Sequence, residues 1–168
     1  MSCLPLHTAR PPAPQPCQDR RGFTMVELLL AIVVVAILAA IAVPAYNESV
    51  RKSRRSEAYT ALAAVQQAQE RWRNNNASYT TALTAAGGDD PPGLGLSDVT
   101  PGGYYAVSID AADATGYTLT AFGRDGTSQA SDECRGLRVR LAGGNLTYAG
   151  CGTADCGGFA ATHTCWTR

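Results

Sequence analysis

The stretch that decides the fold runs from Arg20 to Val43. It begins Arg20-Arg21-Gly22-Phe23-Thr24-Met25-Val26-Glu27 and continues with sixteen apolar residues, Leu28 to Val43. Glu27 is the only charged residue between Phe23 and Ala45. A charge at the centre of a bilayer costs roughly 2.5–3.5 kcal/mol on insertion scales, and less near an edge. Glu27 is therefore the first candidate for a functional residue.

The 23 residues from Phe23 to Ala45 are enough to cross about 30 Å of hydrocarbon as a helix. Residues 1–22 contain five prolines and few apolar side chains, so we expect a disordered leader on the cytoplasmic side. Arg20 and Arg21 favour that orientation, although a second basic cluster follows the span. No small-x-small cleavage site lies directly behind the apolar run, which is therefore expected to act as an anchor and to export the rest of the chain.

The composition predicts one domain and does not indicate a particular class of partner. The chain has 168 residues, a formal net charge of zero and 17% charged residues. This balance gives no global reason to expect a nucleic-acid or an acidic partner. Cys3 and Cys17 precede the apolar run, and four more cysteines lie in the last 35 residues. An even, clustered set downstream of a membrane segment predicts an oxidising compartment and disulfides.

The helical pattern continues beyond the apolar run. An apolar face recurs at helical spacing, with Glu57 and three other polar residues on its solvated side. We expect one helix from about Phe23 to about Arg73, with Pro44 inside it causing a bend or local melting. The apolar face is formed by Ala58, Ala61, Leu62, Val65, Ala68 and Trp72, and the other polar residues are Gln66, Gln67 and Glu70.

A basic cluster, Arg51-Lys52-Ser53-Arg54-Arg55, follows the predicted membrane span. We interpret it mainly as a solvated helix face at the membrane surface. Acidic lipid headgroups or a neighbouring subunit are a second interpretation. A nucleic-acid contact is the weakest, because no aromatic residues are interleaved with these charges.

Four segments in the second half of the chain alternate with strand period. Breaker-rich sequence at 87–93 and 101–103 predicts a long loop before them. Four antiparallel strands packed on the amphipathic part of the helix give an α+β roll. The predicted strands are Tyr104–Asp110, Gly116–Phe122, Gly136–Leu141 and Leu146–Tyr148, with a hairpin connection at 110–115.

The motif Gly22-Phe23-Thr24-Met25-Val26-Glu27-Leu28 and its apolar run resemble the prepilin signature of type IV pilins and pseudopilins. The resemblance implies that a membrane-embedded aspartic peptidase cuts between Gly22 and Phe23 and N-methylates Phe23. It also implies that Glu27 is the residue that guides subunit assembly. The leader is longer than is common in that family.

The strands and the terminal Cys165-Trp166 are similar to those of the PilE-type minor pilins. The resemblance implies three regions: a leader (1–22), a membrane and fibre-core helix (23–45), and a periplasmic headgroup (46–168). The expected function is a minor pilin subunit of a type IV pilus, first in the bacterial inner membrane and then at the cell surface. A type II secretion pseudopilin and an anchored periplasmic binding domain that never polymerises are the alternatives.

The expected partners are other pilins, the prepilin peptidase, the inner-membrane assembly machinery and, before assembly, membrane lipid. No nucleic-acid partner, cofactor or metal is expected. No nucleophile elbow, phosphate loop or paired-carboxylate pattern appears, so we do not expect an enzyme.

The four exported cysteines allow three pairings. We favour Cys134–Cys165, which closes the C-terminal loop onto the sheet, with Cys151–Cys156 nested inside it. The sequential alternative, Cys134–Cys151 with Cys156–Cys165, fits the spacing nearly as well. A zinc site is the rival chemistry, but the spacings lack Cys-x2-Cys and His163 is the only exported histidine.

Overall fold

A computed structural model describes residues 22–152, 156, 158–160 and 162–166. The leader prediction, with Cys3, Cys17, Arg20 and Arg21, lies outside the described residues. One long helix is followed by four strands. The elements are α1 (Met25–Arg73), β1 (Tyr105–Ala112), β2 (Gly116–Gly123), β3 (Gly136–Ala142) and β4 (Asn145–Cys151), with short 3-10 helices at Ser128–Ser131 and Thr164–Trp166.

The four strands form one antiparallel sheet in the order β1-β2-β3-β4. The register places Leu119 opposite Val139 and Val139 opposite Tyr148. Since successive residues of a strand point to opposite faces, these three side chains share one face of the sheet. The predicted α+β class, with a helix and an antiparallel four-stranded sheet, is confirmed.

Strand β1 extends two residues beyond its predicted end. The register with β2 shifts between Ile109 and Ala111, which is the mark of a β-bulge. The turn after it is held by Asp113, whose Oδ1 accepts the N–H groups of Thr115 at 2.6 Å and Gly116 at 2.9 Å. An aspartate that caps its own turn lets both strands continue up to it, so the connection is shorter than the sequence indicates.

The core lies between the second half of α1 and one face of the sheet. Leu62 of α1 is 1% exposed, and Leu119 and Leu137 of the sheet are fully buried. The spacing of the buried helix residues is the predicted one, because positions three and four apart lie on the same side of a helix. The buried residues of α1 are Ala58, Leu62, Val65, Ala68 and Gln69.

Two expectations about polar helix residues are wrong. Glu57 is not on a solvated face, because its Oε2 atom is buried. Arg55 is not solvated either: its side chain is 12% exposed and is paired with Asp132. In both cases the loops that come after the helix in sequence cover more of its circumference than a single sheet would. Periodicity within the helix cannot report such coverage.

Candidate functional site

The predicted processing site lies just before α1. Gly22, Phe23 and Thr24 are non-helical, and Phe23 is 75% exposed. The Thr24 hydroxyl oxygen accepts the Glu27 N–H at 3.2 Å, and the Thr24 carbonyl accepts the Leu28 N–H at 3.2 Å. These bonds cap the helix start and leave the Gly22–Phe23 peptide bond outside it. The role of Thr24 is not among the predictions made from the sequence, although Thr-x-x-Glu is a known capping pattern.

Glu27 lies in the first turn of α1 and is exposed. A carboxylate in this position faces the positive end of the helix dipole, which favours it by about 0.3–1 kcal/mol at an exposed site. This interaction is local to the helix. It is smaller than the cost of placing a charge in lipid, so it does not by itself account for a glutamate here.

The first half of α1 exposes a continuous apolar surface. Each large apolar residue in this part of the helix is between 48% and 84% exposed. α1 is long and apolar enough to span a membrane, and none of its most apolar window is buried. Exposed apolar patches larger than a few hundred Å² mark membrane or protein interaction sites. The helix continues through Pro44 to Arg73.

A buried polar network joins the second half of α1 to the segment before β3. The Arg55 guanidinium makes two hydrogen bonds to the Asp132 carboxylate, one of them 2.8 Å long. Gln129 donates through Nε2 to the Tyr105 hydroxyl at 2.6 Å and to Asp132 Oδ2 at 3.2 Å. The Cys134 N–H also donates to Asp132, at 3.1 Å. This network fixes the helix to the loop that carries the first disulfide.

The two charged members of this network stabilise each other's ionised form. Burial acts to raise the pKa of Asp132, but hydrogen bonds from Arg55 and Cys134 and the Arg55 charge outweigh it, so the pKa is lowered. The hydrogen bonds to Asp132 raise the pKa of Arg55 despite its burial. The Asp132 side chain is 2% exposed, so water contributes little to this balance.

The disulfides hold the C-terminal segment against the sheet. Cys134 is bonded to Cys165 and Cys151 to Cys156, which is the pairing that the sequence analysis favours over the sequential one. Trp166 follows Cys165 and lies 5.2 Å from the ring of Tyr59. Its Nε1 donates to the carbonyl oxygen of Ala149 on β4 at 2.9 Å.

Gly136 is required by this arrangement. A Cβ on Gly136 would stand 2.6 Å from both Sγ atoms of the Cys151–Cys156 bond. Since Cβ atoms do not approach other atoms so closely, β3 can only begin with glycine beside that disulfide.

His163 does not belong to a metal-binding cluster. Among the described residues, no cluster of three or more histidine, cysteine or acidic side chains could hold a metal.

The sheet face opposite the helix carries arginines stacked on phenylalanines. We call Phe122, Arg135, Arg138, Arg140 and Phe159 the arginine–phenylalanine face. The guanidinium carbons of Arg140 and Arg138 lie 4.3 and 5.3 Å from the centre of the Phe159 ring, and that of Arg135 lies 4.5 Å from Phe122. Such stacking is a cation–π contact. The shared face of Arg138 and Arg140 was predicted from the strand period, but their contacts with an aromatic ring were not.

Two acidic residues partly neutralise this face. Asp110 pairs with Arg138 at 3.1 Å, and Asp125 pairs with Arg135 at 2.5 Å. Arg140 is exposed, and its described contacts are with Phe159 and, through its carbonyl, Thr147 and the β2 strand. The face therefore offers one exposed guanidinium and two that already have a carboxylate neighbour.

The long capped helix, the antiparallel four-stranded sheet and the two C-terminal disulfides define the type IV pilin fold. A family model described as "Type IV minor pilin ComP, DNA uptake sequence receptor" matches residues 44–138. The prokaryotic N-terminal methylation motif matches residues 17–43. The chain belongs to the ComP family of type IV minor pilins, and the predicted membership of the type IV pilins is confirmed.

Individual relatives agree with this assignment. Fimbrial protein EcpC of Eikenella corrodens is 29% identical over 143 residues, which cover 85% of this chain and 81% of EcpC. The type IV major pilin protein PilE1 of Neisseria gonorrhoeae is 34% identical over 122 residues, or 73% of this chain and 67% of PilE1. FimA of Dichelobacter nodosus, a type IV major fimbrial protein, is 30% identical over 101 residues, 58% of this chain and 62% of FimA. Pilins assemble with other pilins, and this chain is a structural subunit of that kind.

Proposed function

We propose that the chain is made as a prepilin, cut between Gly22 and Phe23 and methylated at the new Phe23 amine. The observation that carries this proposal is the match of residues 17–43 to the N-terminal methylation motif, which spans this peptide bond. The exposed, non-helical conformation of Gly22 and Phe23 supports it, because a peptidase needs an extended substrate. The Thr24 cap keeps the bond out of the helix.

Glu27 then directs the subunit into the fibre. Cleavage creates a positive amine at Phe23, about one helical turn from Glu27. In a fibre core of low dielectric, a lone carboxylate carries a large desolvation penalty, while one that meets a neighbour's amine is compensated. The pairing is therefore favourable in one register and unfavourable in others. Pro44 is the proposed position of helix bending during this packing.

We propose that the headgroup, residues 46–168, lies in the periplasm before assembly. The two disulfides support a periplasmic location of the headgroup, because disulfides persist in oxidising compartments. The leader then remains in the cytoplasm, and residues 23–45 span the inner membrane. The partners at this stage are lipid, the prepilin peptidase and the assembly machinery. The protein itself has no catalytic role. The matched family and the relatives named above are pilus proteins, which favours a pilus over a secretion pseudopilus or an anchored binding domain.

Two variants test this sequence of events in cells that make the pilus. Gly22→Val should leave an uncut precursor, seen as slower migration on a gel. Glu27→Val should be cut normally but be absent from sheared fibres. Glu133→Val, at an exposed loop carboxylate, is the matched control and should behave as wild type. Normal incorporation of Glu27→Val would contradict the role of Glu27, and a cut Gly22→Val protein would contradict the site.

DNA binding by the exposed headgroup is a second candidate function. It is favoured by the description of the matched family as a DNA uptake sequence receptor, and it opposes our expectation that no nucleic acid is bound. The arginine–phenylalanine face supplies suitable chemistry, since guanidinium groups contact phosphates and phenylalanine rings stack on bases. Arg140 is the most exposed guanidinium there.

Titration of the full-length protein in detergent with labelled duplex and single-stranded DNA tests this candidate. Arg140→Ala should weaken binding several-fold and reduce the slope of log affinity against log salt by about one. Arg71→Ala, at an exposed arginine of α1, is the matched control. Equal affinities for Arg140→Ala and wild type would move the DNA contact away from this face, and no binding by wild type at low salt would remove the candidate.

A further inference from the structure

Three arginines form a basic patch on the part of the headgroup that follows the predicted membrane span. We define the basic patch as Arg51, Arg54 and Arg124. Arg51 and Arg54 are three residues apart on α1, so they lie on the same side of the helix. Arg124 follows β2 and is exposed, whereas the two helix arginines are half-buried. The fold thus adds a distant arginine to the cluster that the sequence places after the span.

The loop before β1 and the turn after β2 hold two of these arginines in place. The guanidinium carbon of Arg54 lies 4.2 Å from the centre of the Tyr104 ring, and its Nη1 donates to the Ser128 hydroxyl. Arg124 Nη1 donates to the Gly103 carbonyl at 3.1 Å, and the Arg124 N–H donates to the Tyr104 carbonyl at 2.9 Å. Both guanidinium groups are therefore fixed beside consecutive residues of one loop. Among the described residues, each makes one hydrogen bond of the five that its N–H groups could donate.

The carboxylates around the basic patch leave it positively charged. In the described part of the chain, no ion pair includes any of the three arginines. Neighbouring carboxylates have other cations as partners: Glu48 pairs with Lys52, Asp125 with Arg135 and Asp132 with Arg55. Glu57 lies beside Gly102 with its Oε2 atom buried, and it offsets only part of the charge. The patch therefore favours an anionic partner.

The spacing from Tyr46 places the basic patch near the expected membrane surface. Tyr46 directly follows the predicted span and is 69% exposed, and tyrosine is enriched at membrane–water interfaces. Arg51 and Arg54 come five and eight residues later, which is about 8 and 12 Å along a helix. Side chains of a helix lean toward its N-terminal end, which here is the side of the span. The polar layer of a bilayer is roughly 5–7 Å thick on each side, so long arginine side chains can reach it.

We propose that the basic patch binds the phosphate groups of anionic lipids before the subunit enters a fibre, an inference that rests on the proposed membrane span and periplasmic headgroup. A guanidinium group binds phosphate through two parallel charge-assisted hydrogen bonds. Arg54 and Arg124 are already held by the loop, so binding does not have to order them first. A DNA contact would use free aromatic rings for stacking, but Arg54 already covers one face of the Tyr104 ring.

The first test measures lipid binding by the purified full-length protein in zwitterionic detergent. It is titrated with short-chain phosphatidylglycerol, short-chain phosphatidylcholine and inorganic phosphate, and the NMR shifts of the Gly103 and Tyr104 amides are followed. Wild type should prefer phosphatidylglycerol. The double variant Arg54→Gln with Arg124→Gln should bind it about fivefold more weakly for each arginine removed, the usual contribution of a basic residue near an anionic surface. Arg71→Gln, at an exposed arginine near the end of α1, is the matched control.

Two further variants separate charge from folding. Arg124→Glu changes an exposed side chain only, so it should melt like wild type and still bind phosphatidylglycerol more weakly. It keeps the test decisive if the double variant is unstable. Arg54→Lys with Arg124→Lys retains the positive charge and should restore most of the preference for phosphatidylglycerol over phosphatidylcholine.

The second test places the same protein in a bilayer. Nanodiscs are made of phosphatidylcholine alone or mixed equally with phosphatidylglycerol, with a trace of lipid that carries a nitroxide on its headgroup. The amide signals of Gly103 and Tyr104 should be broadened more in the anionic discs, and the double variant should lose this difference. The Asp113 amide, in the turn beside the far end of α1, should be broadened in neither disc.

Four results would overturn the proposal. Equal responses to the two lipids, or a phosphatidylglycerol affinity that the double variant keeps, would show that the patch does not recognise lipid charge. Binding of inorganic phosphate as tight as that of phosphatidylglycerol would leave a general anion site. A larger loss of DNA affinity in the double variant than in Arg140→Ala, without lipid preference, would make the patch a nucleic-acid contact. Depletion of the double variant from sheared fibres, with unchanged lipid binding, would assign the patch to an adjacent subunit.

Failure of the proposed function would give a different result. Protease added to spheroplasts should degrade the headgroup, and protection would contradict its periplasmic location. That outcome does not depend on the lipid affinity of the purified protein. Loss of the lipid preference, in turn, would leave cleavage at Gly22 and the role of Glu27 untouched.

Discussion

The two halves of α1 have opposite surroundings. In the first half, the large apolar residues from Met25 to Val43 are all at least 48% exposed, and Leu28 is 56% exposed. In the second half, Leu62 is 1% exposed and Val65 is 2% exposed beneath the sheet. In the part of the chain that the structure describes, the same residue types are therefore buried in the second half of α1 and exposed in the first half.

This difference in exposure indicates that the second half of α1 serves folding and the first half serves assembly. The second half contributes to the stability of the headgroup, because burying a leucine is worth about 1.5–3 kcal/mol. The first half leaves its apolar surface for lipid or other subunits. A change in the first half should therefore affect membrane insertion and fibre entry, and a change in the second half should affect headgroup stability.

The largest effect on the second half should come from Asp132→Ala. Removing one partner of a buried ion pair leaves the other charge unpaired, which costs about 3–5 kcal/mol. Arg55 would lose its two hydrogen bonds, and Gln129 would lose one. We expect a large drop in the urea midpoint of the headgroup, measured by tryptophan fluorescence. Asp98→Ala, at an exposed loop aspartate, is the matched control. An unchanged midpoint would show that the network does not hold the helix.

The ion pair of Arg55 and Asp132 should also make the stability of the headgroup decrease at low pH. The pKa of Asp132 in the folded protein is lowered from 3.8, so its stabilising effect is present above that value. It is lost as the pH falls further, through the lowered pKa of the folded state. Wild type should therefore lose stability below about pH 3.8 more steeply than Asp132→Ala, which no longer has this carboxyl. Parallel acid profiles of the two proteins would contradict the assignment.

A matched pair of leucine substitutions tests the comparison directly. Leu62→Ala should destabilise the headgroup by about 2–5 kcal/mol, as large-to-small changes in cores do. Leu30→Ala, at a position 66% exposed, should leave its melting unchanged. Both proteins should be cut at Gly22, since neither change touches that site. Equal losses of stability would mean that the two halves of the helix are not distinct in this respect.

The sequence predicted the fold because its signals are periodic. The helix was expected from Phe23 to Arg73 and is found from Met25 to Arg73. All four predicted strands begin within one residue of the observed start. Their ends differ more: β1 runs two residues further, past its bulge near Asp110, and β4 runs three residues further. Local spacing fixes such elements, since helix and strand periods differ.

The features that the sequence did not show depend on contacts between distant segments. Gln69 was not among the predicted core residues, yet it is fully buried, and its side chain exchanges two hydrogen bonds with the backbone of Thr80. The partners of Arg55 and the rings beneath Arg138 and Arg140 lie at least nineteen residues away. No periodicity links such residues.

The smallest predicted effect concerns the stability of the headgroup alone and should appear at high pH. Burial raises the pKa of Tyr105 to about 12, and the same cause raises the pKa of Tyr117 to about 12. Because both values lie above the ordinary 10.0, the unfolded chain ionises first as the pH rises. The contribution of these tyrosines to stability is therefore complete below about pH 10 and falls between pH 10 and 12.

We expect the urea midpoint to decrease over that range, together with a late rise in tyrosinate absorbance. Tyr105→Phe should reduce the slope, although it also removes the hydrogen bond from Gln129. If Tyr105→Phe and wild type lost stability equally between pH 10 and 12, ionisation of this buried tyrosine would not be what limits the headgroup.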